Sequence, residues 1–355
     1  MSSCFTAHRA WWSARDPELQ VTLLTHLSLN RMAQLRAQCA TWGGPLAAVV
    51  YVPIAAPPGS ERSRAALANA TNVVQTWFAS TESARSGCQP RVLLLAEHFD
   101  SDRSAALLYP VNSLRNVARL MADTPLVANI DVDMLPSASL TADLATDASI
   151  RGIIDGAVNQ GRVYVLPALE TSCGGPSYAD KAVLVPKDQL SPMIVEGCLT
   201  QFRERVAPQC HNATDFKRWF RADVAYEVKY ATDFEPWLIG GRFNTVWFDF
   251  RYRGYGKNKI SMVAATAASG ARFTVHPSGF IVHRAHTESK SRQAFLAVKF
   301  KSRRDAGMLT GSLYQHIEGL WNASQPALRA GKADPVLEPA VARCLAALPW
   351  WTKTR

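Results

Sequence analysis

Two carboxylates stand two residues apart in Asn129-Ile130-Asp131-Val132-Asp133, at the end of the apolar run that begins at Leu126. In open α/β sheets ligands bind at the carboxyl ends of strands, which is where this run delivers them. Side chains two apart on an extended segment point the same way, so Asp131 and Asp133 can share one cation. Carboxylate oxygens suit a hard divalent ion, Mn²⁺ or Mg²⁺, of the kind that carries a diphosphate. Such an ion neutralises charge as the diphosphate departs. Asp-x-Asp alone equally describes a surface turn; its place at a strand end is what favours the chemistry.

Three more segments carry reactive groups. Tyr109-Pro110-Val111-Asn112-Ser113-Leu114-Arg115-Asn116-Val117-Ala118-Arg119 sets Arg115, Asn116 and Arg119 near one helical face by their spacing. Arg115 or Arg119 could reach a phosphate and Asn116 a base or ribose, or all three could simply be solvated. Phe248-Asp249-Phe250-Arg251-Tyr252-Arg253-Gly254-Tyr255-Gly256-Lys257-Asn258-Lys259 places two glycines among aromatics. Those glycines allow a backbone to approach a flat ligand such as a sugar, or form a turn into the next helix. Val282-His283-Arg284-Ala285-His286 ends a strand with two imidazoles, ligands if a metal lies nearby and structural otherwise.

The elements that must position these groups are readable from apolar patterning. Val21–Leu24, Ala47–Val52, Arg91–Leu95 and Leu126–Ile130 are short apolar runs, separated by helical stretches at 31–36, 63–77 and 112–121. Such runs predict parallel strands covered on both faces, joined by right-handed crossovers in a Rossmann-like sheet. No glycine-rich dinucleotide fingerprint follows the first strand, which argues against NAD or FAD. After residue 220, strands are predicted at 226–230, 237–239, 273–275 and 280–282, with a helix over 258–268. The tail from Lys299 reads as helical and basic (Lys299, Lys301, Arg303, Arg304), then alanine-rich to Trp351. With no repeat and no Pro/Gly/Ser-rich linker, the expectation is one mixed α/β domain: an N-terminal extension over 1–20, the main domain over 21–300, and a helical basic cap over 301–355 packed on it.

Composition narrows the partners. The 355 residues carry 39 basic and 29 acidic side chains, net +10, with 48% hydrophobic and 19% charged residues. These figures exclude collagen-like, disulfide-framework and wholly disordered chains. The basic surplus points to an anionic partner without choosing one. Nucleic acid is not expected, because the basic residues are scattered and form no aromatic–basic repeat or helix-turn-helix pattern. No run reaches the roughly 18 apolar residues of a membrane span. Met1–Gln20 has charges around Trp11 and Trp12 and no apolar signal-peptide centre, which predicts a cytosolic protein or an anchor upstream of this chain. Seven cysteines stand singly, without zinc or redox spacing, and an odd count leaves one unpaired in the monomer. Asn69, Asn212 and Asn322 head Asn-x-Ser/Thr sites that a secretory lumen would permit to be glycosylated.

In this order the segments resemble glycosyltransferase family 49, the group containing β-1,4-glucuronyltransferase and the glucuronyltransferase half of the bifunctional LARGE enzymes. The resemblance begins at Val21–Arg31, whose Leu27-Ser28-Leu29-Asn30-Arg31 is similar to the family's Leu-Ser-x-Asp-Arg turn. It continues through Trp42-Gly43-Gly44-Pro45, Tyr109–Arg119, Asp131–Pro136 and Pro167–Thr171, then His211–Trp219, Phe234-Glu235-Pro236, Asp249–Lys259 and His283–Ser289. It implies a GT-A fold, a UDP-sugar donor and Mn²⁺, with Mg²⁺ the other option. It also implies a glycan or glycoprotein acceptor and an inverting reaction in the Golgi lumen, with membrane association only through a segment outside this chain.

Carried over by residue, Asp131 and Asp133 match the family's metal-binding pair. His286, before Thr287-Glu288-Ser289, matches the late metal-binding histidine, with His283 in reserve. Arg31, Arg115 and Asn116 fall where donor-nucleotide contacts are expected. Inverting transfer needs a carboxylate near the acceptor hydroxyl. Many GT-A enzymes place it at the start of the helix after the glycine turn, where this chain has Lys257-Asn258-Lys259. The family shares the Asn-Lys and commonly has tryptophan in place of Lys257. The nominees for the base are therefore Asp249, then Glu235. A glucuronic acid donor wants a cation, and Lys257, Arg253 and Arg251 are available. A catalytically inactive nucleotide-sugar- or glycan-binding protein with the same fold is the alternative, and the presence of Asp131, Asp133 and His286 argues against it.

Overall fold

Alternate residues of the apolar runs pack in different cores, which is why the runs are continuous rather than alternating. In the computed structural model, which describes residues 5–85, 87–289, 291–293 and 308–352, Leu23, Leu27, Leu46, Ala48 and Val50 join Ala70, Val74 and Trp77 of the helix Glu61–Ala84. Their neighbours Leu24, Ala47, Val49 and Tyr51 join Leu114 and Ala118 of the helix Val111–Leu120. Each fully buried leucine or valine among them contributes about 1.5–3 kcal/mol. The patterning thus yields a sheet with helices on both faces.

Among the described residues the strands are β1 (Thr6–Trp12), β2 (Val21–Ser28), β3 (Pro45–Ile54), β4 (Gln89–His98), β5 (Leu126–Asn129), β6 (Met134–Pro136), β7 (Arg162–Leu166), β8 (Ala168–Thr171), β9 (Leu199–Gln201), β10 (Tyr226–Val228), β11 (Trp237–Gly241), β12 (Arg272–Val275) and β13 (Ile281–His283). The larger sheet has the order β1-β4-β3-β2-β5-β11-β7-β12-β10. Strands β4, β3, β2 and β5 are parallel to one another, whereas β1 and β11 run antiparallel to their neighbours, so the sheet is mixed. The mixed α/β fold with flanking helices is the one the sequence predicts. The stretch before Val21, for which patterning offers no element, supplies β1 on the edge of that sheet. A smaller sheet of order β6-β13-β8-β9, built from strands of three or four residues, has little sequence signature.

The C-terminal helices lie at Met308–Arg329, Pro339–Ala347 and Pro349–Thr352. The indoles of Trp350 and Trp351 donate to Leu120 O at 2.8 and 3.0 Å, and Ser113 donates to the buried Glu338 at 2.9 Å. Lys299, Lys301, Arg303 and Arg304 lie outside the described residues. Among the described residues no helix is long and apolar enough to cross a membrane. Disulfides join Cys39 to Cys88 and Cys173 to Cys198, leaving Cys210 as a buried thiol and Cys344 as an exposed one among those described.

Candidate active site

The chain runs β2, β3, β4 outward across the sheet and then returns to lay β5 on the other side of β2. That reversal is a topological switch point, where the loops after neighbouring strands part and leave a crevice. The loop after β2 brings Arg31, and the loop after β5 brings Asp131 and Asp133. The latter is a turn, closed by Met134 N–H donating to Asp131 O at 2.9 Å, so the extended geometry that would aim both carboxylates alike is absent. Gln38, fully buried on the helix Met32–Thr41, pins the turn by donating to Asp131 O at 3.0 Å and Met134 O at 2.9 Å.

The small sheet then supplies the histidines. β6 pairs antiparallel with β13 so that His283 faces Met134, and Arg284 N–H donates to Asp133 O at 2.7 Å. His286 Nε2 lies 2.5 Å and His283 Nε2 3.8 Å from Asp133 Oδ2. One ligand atom from each of the three residues falls within 4.8 Å of the others, and Asp131 is not in that set. Burial opposes the charge on Asp133, but hydrogen bonds from both imidazoles hold it well below the usual carboxylate range. Burial likewise disfavours the charged His286, and Asp133 reverses this and raises its pKa. The other nitrogen of His286, Nδ1, is 2.7 Å from Thr287 O, to which Arg31 also donates at 2.5 Å. A carbonyl accepting from Nδ1 leaves Nε2 as the ligand nitrogen, the usual outer support of a metal-binding histidine. One carboxylate and two imidazoles fit a divalent transition ion such as Mn²⁺ better than Mg²⁺, which prefers oxygen alone.

Asp131 faces a second cluster. Arg115 Nη2 donates to its Oδ1 at 2.7 Å, and Trp237 Nε1 to its Oδ2 at 3.1 Å, with Lys259 Nζ 3.7 Å from that oxygen. Burial would raise its pKa; the Arg115 and Lys259 charges more than offset this and hold it at about 2. Lys259 is only 4% exposed, lies 3.2 Å from the centre of the Trp237 ring, and reaches Glu235 Oε1 at 3.9 Å. Burial pushes its pKa down, while Glu235 and Asp131 work to keep it protonated. His26 Nε2 is 4.0 Å from Asp131, yet burial and Arg115 lower its pKa to about 4, so at neutral pH this contact is no ion pair.

The remaining predicted residues are distributed unevenly. Arg115 and Arg119 are buried rather than solvated. Asn116 is also buried, and both ends of its amide bond to the backbone of Phe248, at 2.7 and 3.0 Å, which ties the helix to the glycine-turn segment. Asp249 has its two oxygens bound by Arg251, at 2.5–3.1 Å. Arg253 pairs with Glu97 at 2.6 Å and Lys257 with Asp233 at 2.8 Å, so each of the three cations offered for a uronate already holds an internal carboxylate. Sequence reasoning missed Gln38 and Trp237, and saw in Lys259 only the absence of a carboxylate. The Asn-Lys shared with the family was the one available signal.

Asp133, His283 and His286 bring one ligand atom each close enough to share a single ion, beside the switch point of a mixed α/β sheet. Residues 20–310 match the family described as glycosyl-transferase for dystroglycan, and the chain belongs to that family. It is 32% identical over 269 residues to the xylosyl- and glucuronyltransferase LARGE2 of Rattus norvegicus, covering 76% of this chain and 35% of that protein. It is 26% identical over 272 residues to the glycosyltransferase-like protein gnt14 of Dictyostelium discoideum, covering 76% and 38%. The chain thus spans little more than a third of these curated relatives. Among solved structures, S. aureus TarS 1-349 in complex with UDP aligns at 11% identity with a TM-score of 0.39, covering 92% of this chain and 87% of that one.

Proposed function

We propose that this glycosyltransferase is metal-dependent and inverting, and transfers a sugar from a UDP-sugar to a hydroxyl of a glycan or glycoprotein. The observation that carries the reading is the convergence of Asp133, His283 and His286 at the switch point, beside an Asp131 held between Arg115 and Lys259. Glucuronic acid is the proposed sugar, supported by the name of the relative LARGE2. Asp133, His283 and His286 would hold the divalent ion, which supplies charge neutralisation for the departing diphosphate. Arg31 and Arg115 present cations to the phosphates from the loop after β2 and from the helix before β5. Glu235 is the proposed base: it takes the proton of the acceptor hydroxyl as that oxygen attacks the anomeric carbon and the bond to the diphosphate breaks. Lys259 Nζ, 3.9 Å from Glu235 Oε1, places that carboxylate beside the Asp131 cluster. Asp249 ranks second, since Arg251 must first release it. The two disulfides favour an oxidising lumen such as the Golgi.

The test is UDP release by purified protein with Mn²⁺ across a panel of UDP-sugars, with and without chelator. Release that is fastest with UDP-glucuronic acid and is lost on chelation is expected. Binding of UDP-sugars without release from any of them, over a range of acceptors, would replace the enzyme with a binding protein.

A further inference from the structure

Arg119 is 3% exposed, and among the described residues no carboxylate pairs with it. Its Nη2 donates to Arg242 O, and the Trp247 ring lies 3.9 Å from the guanidinium carbon. Nε and Nη1 remain buried without an acceptor. Burial, with the like charge of Arg242, pushes its pKa down to about 9. A cation so placed lacks both solvent and counter-ion, a costly state unless something else supplies the charge.

Next to it is a cavity of about 20 Å³, lined by Arg115, Arg119, Lys259, Asn129 and Thr245 together with apolar side chains such as Leu24. No carboxylate lines it. Arg115 Nε and Asn129 Nδ2 are, like the two Arg119 nitrogens, buried donors with no partner. The four orphaned atoms are all donors, and the hydroxyl of Thr245 in the same lining already donates to Gly241 O at 2.8 Å, so donors outnumber acceptors around the cavity. A phosphate or carboxylate is too large for so small a space. We propose that the cavity binds a single monoatomic anion, a halide such as chloride, as the counter-ion of Arg119 behind the Asp131 cluster. Arg115 and Lys259 face both this cavity and the Asp131 cluster, and the inference does not depend on which sugar is transferred.

The decisive measurement is crystallographic. Wild-type crystals grown in bromide are expected to show an anomalous peak within hydrogen-bonding distance of Arg119 Nε and Nη1; a cavity that is empty or holds only water overturns the proposal. In solution, protein exchanged into sodium gluconate should gain melting temperature saturably on titration with sodium chloride at constant ionic strength. Arg119→Met should lose that increment, whereas Arg31→Ala, at the crevice, should keep it. An equal increment in Arg119→Met would overturn the assignment of the anion to this arginine. If Arg119→Met does not fold, the bromide peak in the wild type decides.

Discussion

At the scale of single residues, the two aspartates of one short motif have different surroundings. Asp133 meets two imidazoles, and Asp131 meets a guanidinium, an indole and an ammonium. Asp133→Asn and His286→Ala should therefore weaken Mn²⁺ binding by more than about tenfold, measured by calorimetry or by the manganese EPR signal. Asp131→Asn should weaken it less, because it removes the counter-charge of Arg115 and Lys259 rather than a member of the trio. Equal losses in all three would return Asp131 to the ligand set. For the base, Glu235→Gln is expected to cut turnover by roughly 10²–10⁴-fold with UDP affinity nearly unchanged. Asp249→Asn should retain most activity, and the reverse ranking would make Asp249 the base. Neither difference could be read from the sequence, because each rests on which cations the fold brings to the carboxylate.

At the scale of elements, the helix Val111–Leu120 shows how a polar sequence can be interior. Its Asn112, Arg115, Asn116 and Arg119 are all buried, each bonded to a segment distant in sequence. Helical spacing groups Arg115, Asn116 and Arg119, but spacing cannot tell solvent from protein around them. Asn116→Ala should cost about 1–3 kcal/mol, since it leaves both backbone groups of Phe248 unpaired. Urea unfolding would measure this, and UDP affinity of the folded variant should stay near wild type. The turn between β12 and β13 makes a pH-dependent contribution. Burial lowers the pKa of His276 to about 4, and its Nδ1 accepts the Gly279 N–H at 2.8 Å. Below the ordinary histidine value of about 6.5, the unfolded chain binds a proton that the native state refuses. Stability should therefore fall as pH drops from about 6.5 towards 4, by up to about 1.4 kcal/mol per pH unit for this group. His276→Asn, which keeps an acceptor but does not titrate, should flatten that part of the urea-midpoint profile; an unchanged slope would assign the acid sensitivity elsewhere.

At the scale of the whole molecule, the Cys39–Cys88 bond joins the helix after β2 to the start of β4 across 49 residues. Replacing both cysteines with serine should destabilise the protein by about 2–4 kcal/mol, seen as a lower melting temperature that reductant does not lower further through this bond. Cys344→Ser, at an exposed thiol, should leave the melting temperature unchanged. Patterning alone determined the layered α/β sheet, because continuous apolar runs and helical spacing are local records of burial on both faces. It also placed Asp131 and Asp133 at a strand end, and in combination with its other motifs the chain was recognisable as a glycosyltransferase family member. Only the tertiary structure decided which groups meet. His286 reaches Asp133 across 153 residues and Trp237 reaches Asp131 across 106. These meetings depend on the register of three- and four-residue strands, and on a turn held by one buried glutamine, neither of which leaves a periodic trace in the chain. The same holds for Lys259: its type and position were plain, but its charge acquires a role only because burial removes water and brings Asp131, Glu235 and the Trp237 ring around it.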